Sequence, residues 1–389
     1  MQKCLFIVLI FLGVDCCAQD SIFSDWTQTT PGGVVGVVHH GKPVYVKAFG
    51  LADIAKKIPN DTSLIFDLAS ITKQFTGMCI ALLEEQGKLS VEDDLKKYYP
   101  TSQIPPGIKI KNLLDHTSGL RDAAVLAILS GKMNLSGEVK RKYETTEYYM
   151  ECFMRENDLN FTPGSELSYT NFNYILLGEI VKKVSGRSLP EFADSAIFRP
   201  LGMTKTIFRV QPSQKIPGET KGYLQKGKKY KQRDGRGGIV GDHNLLSTVN
   251  DMLKWEMNFL NNQLGQKKPG LIEKVTTGSK LNDGSPTNYG YGVWNMPWKG
   301  ITHIQHGGDD GRETSFSIVF PDQQLIIVVL SNSSNYDATR EKAYRIAKVL
   351  LKDDLKEPEK PTRQLDTIRL GEDQLKLREG TYTLVNKKG

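Results

Sequence analysis

Hydrophobic residues along the chain fall into two patterns, strand-like runs near both ends and helical spacing between them. Val34-Val35-Gly36-Val37-Val38 and Pro43-Val44-Tyr45-Val46-Lys47-Ala48 are β-rich runs joined through His39-His40-Gly41-Lys42, which predicts a hairpin. Thr314-Ser315-Phe316-Ser317-Ile318-Val319-Phe320 and Leu325-Ile326-Ile327-Val328-Val329-Leu330, joined by Pro321-Asp322-Gln323-Gln324, predict a second. Ile71, Phe75, Met78, Cys79, Leu82 and Leu83 share one face of a predicted helix that stops at Gly87. Tyr174, Leu177, Val181 and Val184 do the same for a helix from about Asn173 to Val184, ended by Gly186. An amphipathic stretch follows the second hairpin, from Ala338 to Leu351. These elements predict an α/β fold of the α+β kind: an antiparallel sheet made from both chain ends, covered by terminal helices, with a large, mostly helical region (about 74–290) inserted.

The first predicted helix begins where chemistry is possible. In Ser70-Ile71-Thr72-Lys73 the serine and lysine lie one helical turn apart, so the amine can reach the hydroxyl. Serine is a poor nucleophile without a base, and a lysine serves when its surroundings favour the neutral amine. Free backbone N–H groups at a helix N-terminus favour negative charge there. A serine at this place is equally a helix cap, and this stretch alone leaves both readings open.

Two more stretches carry candidate groups. Phe161 to Asn171 reads as a loop entering a helix, with the Tyr169 phenol and the Asn171 amide two residues apart. His303-Ile304-Gln305-His306-Gly307-Gly308 reads as a strand followed by a glycine-rich turn, whose glycines would let a substrate backbone lie close. His303 and His306, three apart on a strand, face opposite ways and make no metal pair; no zinc spacing occurs anywhere. His39, His40, His116 and His243 carry no assignment.

Composition narrows the class. Met1 to Ala18 has the form of a secretory leader: Lys3, an apolar run from Leu5 to Val14, then Cys16-Cys17-Ala18 before Gln19. Asp15 fits lipid modification of Cys16 poorly, and no segment is long and apolar enough to span a bilayer. A secreted or periplasmic protein is expected. Three of the five cysteines belong to the leader, leaving Cys79 and Cys152, whose pairing as a disulfide stays open. The net charge of +7 over 389 residues suits acidic or carboxylate-bearing partners rather than nucleic acid, for which no fold motif is present.

Taken in chain order, Ser70-Ile71-Thr72-Lys73, Tyr169-Thr170-Asn171 and His306-Gly307-Gly308 resemble the three motifs of the serine β-lactamase and penicillin-binding protein family. The likeness is to its class C branch, which includes D-alanyl-D-alanine carboxypeptidases, D-aminopeptidases and serine esterases. Leu113-Leu114-Asp115-His116-Thr117-Ser118-Gly119-Leu120, Pro200-Leu201-Gly202-Met203, and Gly235-Arg236-Gly237-Gly238 with Ser247-Thr248 and Asp251 are similar to further family segments. The resemblance covers about Pro31 to Leu351 and implies one hydrolase domain over 19–351.

The resemblance implies that Ser70 is the nucleophile and forms an acyl-enzyme. It implies that Lys73 and Tyr169 share proton transfer, each held by the other's charge. Asn171 would bind the substrate amide, His306, Gly307 and Gly308 would line the substrate strand, and the backbone N–H groups of Ser70 and Asp309 would form the oxyanion hole. No metal or cofactor is implied. At the third motif the chain departs from the β-lactamase pattern, because His306 stands in place of a lysine. A histidine of ordinary pKa is mostly neutral at pH 7 and gives a substrate carboxylate no permanent charge. The expected activity is therefore hydrolysis of a D-amino-acid peptide, amide or ester, a cell-wall fragment among the candidates, with weak or no β-lactam turnover. The rival is a penicillin-recognising sensor that acylates once and does not turn over.

Two stretches stand apart. Lys221, Lys226, Lys228, Lys229, Lys231, Arg233 and Arg236 crowd one segment, either a solvated hairpin or an attractor for acidic substrates. Residues 352–376 read as a charged linker with Pro358 and Pro361, and 377–389 as a possible first strand of a further β domain, not stable alone.

Overall fold

The structure, a computed structural model, describes residues 19–122, 125, 145–235 and 237–356. The leader, Arg236 and the tail from 357, with its predicted linker and strand, lie outside the described residues. Both predicted hairpins form. Strands β1 (Gly33–His39) and β2 (Lys42–Phe49) pair antiparallel through a turn in which His40 (φ 50°) and Gly41 (φ 72°) both adopt left-handed backbone, the conformation a tight two-residue hairpin requires.

The basic segment 222–233 is also a hairpin, β3 (Gly222–Lys226) with β4 (Lys229–Arg233), whose lysines at 226, 228, 229 and 231 are exposed. Strands β5 (Trp294–Trp298), β6 (Ile301–Asp309), β7 (Thr314–Phe320) and β8 (Leu325–Ser331) complete a six-stranded sheet in the order β5-β6-β7-β8-β1-β2. The chain ends meet where β1 pairs antiparallel with β8, from Gly33 opposite Ser331 to His39 opposite Leu325.

The central strands β7 and β8 are buried on both faces, which explains the unbroken apolar run Leu325 to Leu330 of β8, while β7 buries Thr314, Ser315 and Ser317 among its apolar residues. Val35, Val37, Phe316, Ile318 and Phe320 point to one face. They pack with helix α4 (Tyr336–Leu350) and the short 3₁₀ turn Ser21–Phe23. Val34, Val38, Val319 and Val328 point to the other, against α1 (Thr72–Glu85) and α3 (Val249–Leu260) of the inserted region. Only one face is thus covered by terminal elements; the insertion covers the second.

Helix α1 is buried from Thr72 to Leu83, on every side rather than on one stripe. Phe75 stacks on Trp255 of α3 at 4.0 Å, and Trp255 Nε1 donates to Gln74 Oε1 at 2.6 Å. Such a helix cannot shift without disturbing the core, so it is a fixed platform for what stands at its N-terminus. Cys79 is buried within it and Cys152 is half-buried; both are free, so no disulfide joins them.

Candidate active site

Ser70 lies in the 3₁₀ turn Ala69–Ile71 that leads into α1. Ala69 has φ 45°, a strained conformation for a residue with a side chain, and the surroundings hold it there. Asp67 Oδ1 accepts from the Ala69 N–H at 2.9 Å, and the Asp67 N–H donates to Glu313 Oε2 at 2.8 Å. Ser315 Oγ donates to the Leu68 carbonyl at 2.7 Å, and the Leu68 N–H to the Leu245 carbonyl at 2.9 Å. Asp67 is itself buried among Arg209, Arg312 and Glu313. Ser70 does not cap the helix: Ile71 occupies the cap position with no side-chain bond.

The hydroxyl meets Lys73 instead. Lys73 is fully buried, and its Nζ donates to Ser70 Oγ at 3.1 Å, Asn171 Oδ1 at 2.8 Å and the Asp242 carbonyl at 3.0 Å. Three acceptors use all three protons of an ammonium group. Tyr169, 40% exposed, lies beside them with its ring centroid 5.0 Å from Nζ. Lys73 Nζ thus faces the ring of Tyr169; among the described residues, no hydrogen bond reaches the Tyr169 hydroxyl.

Helix α2 (Asn171–Ser185) starts two residues earlier than its apolar spacing suggests, because Thr170 caps it by accepting from the Phe172 N–H at 3.3 Å. Asn171 is thus helical, not part of a loop, which aims its amide at Lys73.

The third stretch also differs from expectation. Gly307 and Gly308 are inside β6, opposite Phe316 and Ser315, and the turn comes later. Their missing side chains admit the protein itself. A Cβ on Gly308 would lie 2.2 Å from the Leu68 carbonyl oxygen and 2.9 Å from the Ser70 nitrogen, and one on Gly307 would lie 2.1 Å from the Tyr336 hydroxyl. The strand is pressed against the Ser70 turn at Gly308, and Asp309 follows at its end, its carboxylate accepting from the Gly311 N–H at 2.7 Å.

His306 is buried, its Nε2 3.1 Å from the Tyr289 hydroxyl and its Nδ1 2.7 Å from the Gly307 carbonyl. Burial first, then the charge of Lys73, lowers its pKa to about 3, so it is neutral at any physiological pH. His303 points to the opposite face, 3.0 Å from the Tyr344 hydroxyl.

Residues without a sequence assignment complete the site. His116 (φ 59°) is buried against Tyr169 at 4.2 Å between ring centroids, and its Nδ1 lies 3.3 Å from the Thr170 N–H and 3.2 Å from Asn173 Nδ2. Its place in the family-like stretch Leu113 to Leu120 was the available signal. His243 and Asp242, which had none, sit beside Lys73, with His243 Nδ1 2.7 Å from Asp242 Oδ1. Among the described residues no group of three or more His, Cys, Asp or Glu is placed to hold a metal ion, and no helix is long and apolar enough to cross a membrane.

Comparison with known proteins fits this geometry. The β-lactamase family description matches residues 19–351. A D-aminopeptidase of Gluconobacter oxydans is 29% identical over 312 residues, 78% of this chain, which spans only 56% of that protein. Penicillin-binding protein 4* of Bacillus subtilis is 29% identical over 77% of this chain and 68% of its own. The octameric penicillin-binding protein homologue of Pyrococcus abyssi superimposes with a TM-score of 0.77 at 28% identity, covering 89% of this chain and 79% of that one. On these grounds the chain belongs to the β-lactamase family, a family of serine hydrolases.

Proposed function

We propose that the protein is an exported serine hydrolase that cleaves a D-amino-acid peptide, a small amide or an ester through an acyl-Ser70 intermediate, with weak or no β-lactam turnover. The observation that carries this reading is the contact of Lys73 Nζ with both Ser70 Oγ and Asn171 Oδ1. Ser70 Oγ attacks the substrate carbonyl carbon as its proton is taken by the Lys73–Tyr169 pair, which must hold one proton fewer than an ammonium beside a phenol to accept it, and which passes a proton on to the leaving group. The oxyanion forms against the backbone N–H groups of Ser70 and Asp309. The leaving amine or alcohol departs protonated, and water later cleaves the acyl-serine. Asn171 and the edge of β6 at His306, Gly307 and Gly308 receive the substrate.

The relatives named D-aminopeptidase support the substrate class. A neutral, buried His306 supports weak β-lactam turnover, because it offers a carboxylate no charge.

Intact-mass spectrometry after a fluorophosphonate probe, and separately after penicillin, tests the reading beside turnover of p-nitrophenyl esters and D-alanyl amides. One adduct on the protein, absent in Ser70→Ala, together with steady turnover is expected. A lasting penicillin adduct without turnover of any substrate would identify a sensor instead.

A further inference from the structure

The hydrolysis of an acyl-serine needs a base for the attacking water, and Lys73 is engaged as a donor to three acceptors. Segment 241–245 runs beside the start of α1. Thr76 Oγ1 donates to the Gly241 carbonyl at 2.7 Å, Lys73 Nζ to that of Asp242 at 3.0 Å, and the Leu245 N–H to Thr72 Oγ1 at 3.3 Å. His243 thus projects from a strand of chain fixed against the catalytic turn. The backbone around it is held in uncommon conformations: Gly241 at φ 118°, where a Cβ would meet the Tyr174 carbonyl oxygen at 2.3 Å, and Asn244 at φ 68°. Strain of this kind persists where surrounding contacts over-determine a geometry.

The ring itself is arranged as a base. Asp242, 4% exposed, faces Nδ1 at 2.7 Å, while the His243 side chain is 26% exposed and no described residue hydrogen-bonds to its Nε2. The carboxylate lies beside Nδ1 as a charge partner, although its Oδ1 makes no aligned hydrogen bond, and the Nε2 side of the ring is left for a proton from outside.

We propose that His243 is the general base for the water that hydrolyses the acyl-enzyme, with Asp242 as the positioning residue for its ring. This rests on the acyl-serine reading above. The water oxygen bonds to the acyl carbonyl carbon as one of its protons passes to His243 Nε2. The tetrahedral adduct collapses, the bond to Ser70 Oγ breaks, and Oγ takes a proton from Lys73 Nζ. The imidazolium returns its proton to solvent, Lys73 regains one, and one water is consumed per acid released.

The charged groups facing the ring are Asp242, Asp67 and Lys73. Burial disfavours the imidazolium, yet Asp242 and Asp67 outweigh burial and Lys73, so the pKa is raised from its ordinary value.

The test is the pre-steady-state turnover of p-nitrophenyl acetate by the wild type, His243→Gln and Asp242→Asn, with intact-mass spectrometry of each reaction in progress. In His243→Gln the burst of one p-nitrophenol per Ser70 should survive. The steady rate should fall roughly 10²-fold, acetyl-enzyme should accumulate, and the acid limb of the pH profile should vanish. Asp242→Asn should cut the steady rate less and move that limb to lower pH, because the carboxylate that supports the imidazolium is gone. An unchanged steady rate in His243→Gln, or burst and steady rate falling together, would overturn the proposal. Absence of any Ser70 adduct in the wild type would instead remove the acyl-serine reading beneath it.

Discussion

Lys73 Nζ lies closer to Asn171 Oδ1, at 2.8 Å, than to the Ser70 hydroxyl, at 3.1 Å. The amide of α2 therefore sets where the amine stands, and the serine takes what remains of its reach. A hydrogen bond to a charged group contributes about 1.5–3 kcal/mol. Asn171→Ala should then lower kcat/KM for an ester by roughly 10- to 10²-fold. Lys73→Met, which removes the proposed proton-transfer group itself, should cost roughly 10² to 10⁴. Rates of Ser70 labelling by a fluorophosphonate should follow the same order in the two variants.

Glu256 on α3 is buried in the core behind α1, and its Oε1 has no hydrogen-bond partner. Burial pushes its pKa up to about 8. The folded state thus binds a proton that the unfolded chain releases above pH 4.5, so stability should fall as pH rises from 4.5 to about 8. The slope is at most about 1.4 kcal/mol per pH unit. Urea unfolding of Glu256→Gln, which keeps the shape without the ionisation, should lack this decline; parallel curves for variant and wild type would refute it.

The opposite sign holds for His303. Its ring is buried between β6 and α4, and burial lowers its pKa to about 4. Below pH 6.5 the unfolded chain takes up a proton there that the folded chain refuses, so stability should fall as pH drops from 6.5 to about 4. His303→Phe removes that uptake. Relative to the wild type it should gain stability at pH 4 over pH 7, read from midpoints of chemical unfolding; an equal difference at both values would count against the assignment.

How much of this was legible in the residues follows from the range of the interactions. The sheet is legible, because β8 is apolar on both faces, β7 is rich in β-branched and aromatic residues, and the turn between them is local. The pairing of Ser70 with Lys73 is too, since one helical turn brings the two together. The cap at Thr170 was missed because Asn171 interrupts the apolar spacing that marks the helix. The glycines of β6 suggest room for a substrate, whereas Gly308 admits the Leu68 carbonyl, a neighbour some 240 positions away that no local pattern reveals. His243 is silent for the same reason, since it comes beside Lys73 only on folding, and His116, marked only by its family-like stretch, meets Tyr169 in the same way.

The two β6 glycines should respond differently to alanine, because one faces backbone and the other a side chain. At Gly308 the added methyl meets the Leu68 carbonyl oxygen at 2.2 Å and the Ser70 nitrogen at 2.9 Å, atoms of the turn that carries Ser70, the proposed nucleophile. Neither can withdraw without moving Ser70. A displacement of about 1 Å costs a reaction roughly 10²-fold, so Gly308→Ala should lose at least that in kcat, and Ser315→Ala should not restore it. At Gly307 the obstacle is the Tyr336 hydroxyl at 2.1 Å, the end of a side chain at the start of α4. Gly307→Ala should lose thermal stability with a smaller loss in kcat, and Tyr336→Ala should relieve it. Measuring kcat and the unfolding midpoint for both single variants and both doubles separates the cases; rescue at Gly308 by Ser315→Ala would mean that the Leu68 carbonyl is not the obstacle.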